Sequence, residues 1–146
     1  MPVNWELFCI GRDDGLKKEL IDIAKRYKIE KNIFWKETLK VEKILSKSDI
    51  GVLCSSEEGF PNVLLEYYAS KLPVISTNVG GCNEIVKNKK NGILIKKNNY
   101  KELADAILFL YNNQKLSKNF GVNGFKEVKK NYNILKTIKM HEEIYI

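Results

Sequence analysis

A parallel, doubly wound α/β sheet of about five strands, flanked by helices and closed by a helical C-terminus, is the fold predicted for this chain. Three observations predict it. Short apolar runs alternate with amphipathic stretches, the signature of strands and helices taking turns. The 146 residues, 44% hydrophobic and 29% charged, suffice for one domain, 1–146, with a genuine core. Third, the last third of the chain keeps apolar residues at helical spacing only. In such sheets ligands bind beyond the carboxyl ends of the strands.

Trp5 to Ile10 reads as a strand ended by Gly11. Leu16, Leu20, Ile23, Ala24 and Tyr27 recur at helical spacing across 15–28. A short strand follows at Ile33 to Trp35, then a brief helix marked by Val41, Ile44 and Leu45, then a strand from Ile50 to Cys54. The next helix is expected from Pro61 to about Ser70, partly burying Val63, Leu64, Tyr67 and Tyr68. Of the adjacent tyrosines, one should face the core and the other the surface. Pro73 to Ser76 is a strand. Gly80-Gly81 opens a small helix through Ile85 and Val86, or is only a tight turn, and Ile93 to Ile95 is the last strand. Three apolar helical stripes end the chain: Leu103, Ala104, Ile107, Leu108 and Tyr111; Leu116, Phe120 and Phe125; Ile134, Leu135, Ile138 and Ile144.

The chemistry concentrates at Ser55 to Glu66. Glu58 and Glu66 flank a turn punctuated by Gly59 and Pro61, and Pro61 suits the first helical position, where a missing N–H costs nothing. The free N–H groups of Asn62 and Val63 would then point out of the helix N-terminus, at the positive end of its dipole, and suit a phosphate. Glu66, a little over one turn further in, is placed to reach a sugar hydroxyl. The plainer alternative for Glu58 is an acid favoured near any helix start, and for Phe60 a packing residue of the turn.

The segment Glu58-Gly59-Phe60-Pro61-Asn62-Val63-Leu64-Leu65-Glu66, continuing through Leu72-Pro73-Val74-Ile75 to Gly80-Gly81 and Glu84-Ile85-Val86, resembles the family-4 glycosyltransferases. These are retaining enzymes of the GT-B fold. Trp5 to Gly11, Ser48-Asp49-Ile50 and Asn91-Gly92-Ile93-Leu94-Ile95 resemble further parts of the same domain, so the likeness covers nearly the whole chain. It implies the Rossmann-like, donor-binding C-terminal half of that fold. It also implies a donor site for a nucleotide-sugar, taken as a UDP-sugar, with no metal and no other cofactor. Glu58 would be the catalytic-site acid that meets the donor sugar hydroxyls, with the backbone of Gly59 and Phe60 holding the ring. Asn62 and Val63 would hold the diphosphate and Glu66 the ribose, while Trp35, Lys36 and Thr38 would lie along the base.

The same resemblance marks departures. The strand and basic pair that precede the Trp5 strand in this family, and the acceptor-binding N-terminal domain, have no counterpart in this sequence. His141 is the one histidine and reads as a satisfied surface residue in a helical stretch. Direct pairing of the Trp5 and Ile50 strands, or a homodimer, is expected to close the sheet, since an unpaired edge invites aggregation. A complementary N-terminal domain is a further expected partner, and the isolated chain should transfer no sugar. The alternative function is a non-catalytic nucleotide-binding or interaction module.

Composition sets the remaining expectations. The odd set Cys9, Cys54 and Cys82 argues for reduced thiols in a cytoplasmic protein, and no Cys/His spacing suggests zinc. No apolar run approaches the roughly 20 residues that span a bilayer, and no signal peptide precedes Trp5. The charge is +7, but the basic residues are lysines apart from Arg12 and Arg26, which speaks against nucleic acid. A solvated lysine-biased surface, or peripheral contact with an anionic membrane at its inner face, remains. Gly11-Arg12-Asp13-Asp14-Gly15 lacks the dinucleotide glycine fingerprint, which excludes that oxidoreductase class.

Overall fold

The computed structural model describes residues 4–37 and 40–132. The third apolar stripe (134–144), His141 and Thr38 lie outside them. The chain divides between Lys43 and Ile44 into two compact units.

The first unit holds β1 (Leu7–Ile10), α1 (Lys17–Arg26), a 3-10 turn (Glu30–Asn32) and β2 (Ile33–Lys36). β1 and β2 pair in parallel, Leu7 opposite Ile33 and Ile10 opposite Lys36. Phe8 stacks on Phe34 at 5.2 Å between ring centroids. Asn32 Nδ2 donates to the Trp5 carbonyl at 2.7 Å, fixing the entry to β1. The α1 stripe forms a helix as expected but buries only Ala24; Leu16, Leu20, Ile23 and Tyr27 are exposed. Within this unit, two four-residue strands are too small a sheet to cover that face.

Beyond α2 (Glu42–Leu45), the second unit runs β3 (Gly51–Leu53), α3 (Asn62–Ala69), β4 (Val74–Thr77), α4 (Cys82–Ile85), β5 (Gly92–Ile95), α5 (Tyr100–Asn112) and α6 (Gln114–Asn131). Its sheet has the order β3-β4-β5, all parallel, with Gly51 opposite Val74 and Val74 opposite Gly92. All five expected strands and their parallel sense are present, but they form two sheets. Direct pairing of the Trp5 and Ile50 strands is not found: β1 pairs with β2, and β3 with β4. Within each unit, strands successive in the chain lie side by side: β1 with β2, β3 with β4 and β4 with β5.

β4 is central and wholly buried, so it reads as a continuous run and not as an alternation. α3 drops Leu64 and Tyr68, one turn apart, into the core beside Val74, Cys82, Ile85 and Val86. Each large side chain so buried contributes about 2 kcal/mol. The tyrosine pair divides as expected in part: Tyr68 is buried, while Tyr67 is half-buried and donates to the Val52 carbonyl at 3.2 Å. α3 stops at Lys71, which takes the left-handed conformation (φ 58°), while its N–H and that of Leu72 return to Tyr68 and Tyr67 carbonyls.

Two stripes are corrected. α5 buries Ala106 and Leu110 and half-buries Leu103, Ile107 and Leu108, leaving Ala104 and Tyr111 exposed. α6 exposes Leu116 and buries Ser117, Phe120, Gly121 and Gly124. The reason is close approach: a Cβ on Gly124 would strike the Tyr68 ring, so α6 lies against α3 through its small residues. Among the described residues, no helix is long and apolar enough to cross a membrane.

Candidate functional site

The strand ends of the second unit share one rim. There, an open cleft of about 870 Å³ is lined by Ser56, Glu57, Glu58 and Gly59 after β3, by Asn78, Val79 and Gly80 after β4, and by Lys96 and Lys97 after β5. This is where a parallel sheet presents its ligand site.

Glu58 is half-buried, and Ser55 Oγ donates to its Oε1 at 2.5 Å. Thr77 Oγ1 in turn donates to the Ser55 carbonyl at 2.7 Å, tying this loop to the end of the central strand. The Gly81 N–H forks to the carbonyls of Glu58 (3.3 Å) and Gly59 (3.2 Å). Gly80 adopts φ 46°, and a Cβ on either glycine would collide with those same carbonyls. The pair therefore does more than turn the chain: it lets the β4–α4 loop lie flush on the Glu58 loop.

Pro61 stands one position earlier than expected. It is the N-cap (φ −79°, ψ 88°), its carbonyl accepting from the Leu64 N–H at 3.0 Å, and α3 begins at Asn62. Proline offers no side-chain oxygen to cap the helix, and none caps it here. Asn62 and Val63 thus occupy the first two helical positions, whose N–H groups have no intrahelical acceptor. Asn62 is exposed and Val63 half-exposed, and the first turn carries no acid. Glu66 is exposed on α3.

Of the residues singled out from sequence, Glu58 and Gly59 line the cleft. Phe60, Asn62, Val63 and Glu66 continue from it along the loop and α3 without lining it. Phe60 is exposed, its ring tilted against Tyr132 at the end of α6, 5.8 Å between centroids. Trp35, half-buried, and Lys36, exposed, end β2 in the first unit, where the Lys17 ammonium stands 6.0 Å from the Trp35 ring. Asn78, Lys96 and Lys97 carry no signal in the sequence, although each lies within two residues of a strand's carboxyl end, the position a parallel sheet marks for function.

Burial, then the charges of Glu66 and Cys54, push the Tyr67 hydroxyl above its usual range. Burial, then Glu84 and Glu127, does the same at Tyr132. The three cysteines are free, and partial burial raises Cys9 and Cys54. Neither is poised as a thiolate nucleophile at neutral pH. Among the described residues no group of three His, Cys, Asp or Glu side chains is arranged to hold a metal.

Comparison with known proteins agrees with this architecture. The chain is 36% identical to an uncharacterised glycosyltransferase of Methanocaldococcus jannaschii, over 91% of its own length and 42% of the relative's. It is 33% identical to an Escherichia coli UDP-Gal:alpha-D-GlcNAc-diphosphoundecaprenol alpha-1,3-galactosyltransferase, over 73% of this chain and 27% of that one. The chain thus spans less than half the length of these relatives. The crystal structure of the C-terminal domain of a glycosyl transferase group 1 family protein from Francisella tularensis superposes with a TM-score of 0.81 at 31% identity, covering 89% of this chain and 71% of that one. The fold is that of the C-terminal half of a GT-B glycosyltransferase. Residues 2–127 match the glycosyl transferases group 1 family, and the chain belongs to it.

Proposed function

We propose that this chain is the donor-binding half of a retaining glycosyltransferase that takes a nucleoside-diphosphate sugar, and that its site is the β3–α3 loop with the start of α3. One observation carries the reading: α3 opens on Asn62 and Val63 with no side-chain cap, beside a loop that holds the Glu58 carboxylate at the rim of a cleft. Uncapped amides at the positive end of a helix favour a diphosphate. Glu58 would accept from hydroxyls of the donor sugar, with Gly59 and Phe60 along the ring, and Glu66 would accept from the ribose. The UDP-sugar named for the Escherichia coli relative supports this donor class.

In the reaction, the bond from the anomeric carbon to the diphosphate oxygen breaks and one to an acceptor hydroxyl oxygen forms, with retained configuration, the hydroxyl proton passing to the departing diphosphate. The electron pair leaves on the diphosphate, where the oriented amides of Asn62 and Val63 would stabilise it. This needs no metal. The acceptor would be held by a complementary N-terminal domain, and surface polysaccharide or glycan synthesis is the corresponding role.

Calorimetry with UDP and with a UDP-sugar tests the reading. Glu66→Ala should weaken both ligands by roughly tenfold or more, the scale of one charged hydrogen bond. Glu58→Ala should remove only the increment that the sugar adds. A folded chain that binds neither ligand would instead favour the non-catalytic interaction module.

A further inference from the structure

Along the sequence the lysines of α6 look scattered; wound at 100° per residue they gather. Ser117, Phe120, Gly121 and Gly124 mark the line that faces the core. Lys115, Lys118, Lys126, Lys129 and Lys130 fall on the outward half of the helix and are all exposed. None of the five pairs with a carboxylate among the described residues, unlike Arg12 with Asp14, Lys25 with Asp22 and Lys96 with Glu102. The acid of α6, Glu127, is half-buried to one side, close enough to act on Tyr68 and Tyr132. Asn123 Nδ2 donates to the Lys90 carbonyl at 2.9 Å, clamping the turn that bears exposed Lys89 and Lys90 beside the helix.

This arrangement works against the helix that carries it. Lys126 and Lys130 are an i,i+4 like-charge pair, and Lys115–Lys118 and Lys126–Lys129 are i,i+3 pairs. Lys115 also stands in the first turn, where the dipole disfavours a cation. The dipole favours Lys129 and Lys130 in the last turn, but among the described residues no carboxylate pairs with any of the five, whereas an external anionic surface would offset their mutual repulsion. Local conflict of this kind is expected where a surface serves a purpose other than folding.

We propose that the outward face of α6, with the adjoining turn 87–90, docks on an anionic lipid bilayer. An 18-residue helix presents a face about 27 Å long, and ammonium groups meet a plane of headgroups as point charges without directional demands. Nucleic acid would be served by arginine forks and stacking aromatics; the exposed apolar side chain between these lysines is Val122. Tyr132, at the carboxyl end of α6, packs against Phe60, so docking would bring the Glu58 loop close to the membrane plane. The proposal does not depend on the donor reading.

Co-sedimentation with vesicles tests it. The chain should bind vesicles of equal parts phosphatidylcholine and phosphatidylglycerol, not phosphatidylcholine alone, and should be released by high salt. Each lysine removed from the face should cost roughly fivefold in partitioning, so the triple variant K115Q/K126Q/K130Q should lose on the order of a hundredfold. A control of equal charge, K18Q/K31Q/K101Q, should stay near wild type. Circular dichroism checks that each variant folds, and the single K126Q stands in should the triple fail. The proposal is overturned by absence of vesicle binding, or by equal losses in both triples, which would mean net charge alone. It is also overturned by retention on transfer RNA that exceeds vesicle binding at the same salt.

Discussion

Gly80 lies against the carbonyl oxygen of Glu58, closer than any residue with a Cβ would permit. The two belong to different loops, one after β4 and the other after β3, and the Gly81 N–H bonds the same carbonyl. The backbone of the candidate sugar-binding acid is therefore set by a glycine more than twenty positions away, a link between strand order and site geometry.

Gly80→Ala should accordingly disturb the site as well as the fold. The left-handed φ alone costs a side chain about 1–3 kcal/mol, and the collision must also push the Glu58 loop outward. Urea denaturation should show the destabilisation. Calorimetry should show a UDP-sugar affinity falling toward that of UDP.

Ser55 acts on the Glu58 side chain, where Gly80 acts on its backbone. Ser55→Ala removes the hydroxyl that holds Oε1 and should weaken sugar binding roughly fivefold, about 1 kcal/mol, with UDP binding unchanged. An equal loss for both ligands would show that Ser55 supports the loop as a whole and not the orientation of Glu58.

Asn91, itself buried, joins three partners: it accepts from the Lys87 N–H (2.7 Å) and the Tyr68 hydroxyl (2.9 Å), and donates to the Ile85 carbonyl (3.1 Å). Asn91→Ala strands all three and should cost about 3 kcal/mol or more, whereas Tyr68→Phe should cost about 1 kcal/mol. Denaturant midpoints compare them. Similar losses would contradict the network.

Alkaline pH should unfold the protein early. Burial, then the charge of Glu127, raises the Tyr68 hydroxyl far above its usual value of 10.0; Tyr67 and Tyr132 shift the same way. Above about pH 10 the unfolded chain releases these protons while the folded one keeps them. Stability is therefore intact below that pH and falls as pH rises through the folded values, by up to about 1.4 kcal/mol per pH unit for each group. Tyr68→Phe should flatten the slope in a denaturation series from pH 9 to 11. An unchanged slope would mean that lysine deprotonation governs it.

Most of the element order was legible in the sequence because it is written locally. Runs such as Val74-Ile75-Ser76 admit little but a buried strand, and Leu64 and Tyr68 are one helical turn apart. Pairing was less legible. Nothing local to the Trp5 and Ile50 strands says that they lie in separate sheets, because that depends on contacts among remote residues. The inner face of α6 was also hidden, since a stripe of Ser117, Gly121 and Gly124 is small, not hydrophobic, and its purpose appears only when the Tyr68 ring is laid against it. The same winding that hides those residues collects the lysines on the other side. At the site, Glu58 was found through its motif, while Asn78, Lys96 and Lys97 have no motif and join it only through the parallel order of β3, β4 and β5.

The most direct test is an amide chemical-shift titration of the chain with UDP. The largest perturbations should fall on the backbone N–H groups of Asn62 and Val63, with Glu66 next and the outward face of α6 silent. Saturable binding that leaves those two amides unmoved and shifts another surface would contradict the account.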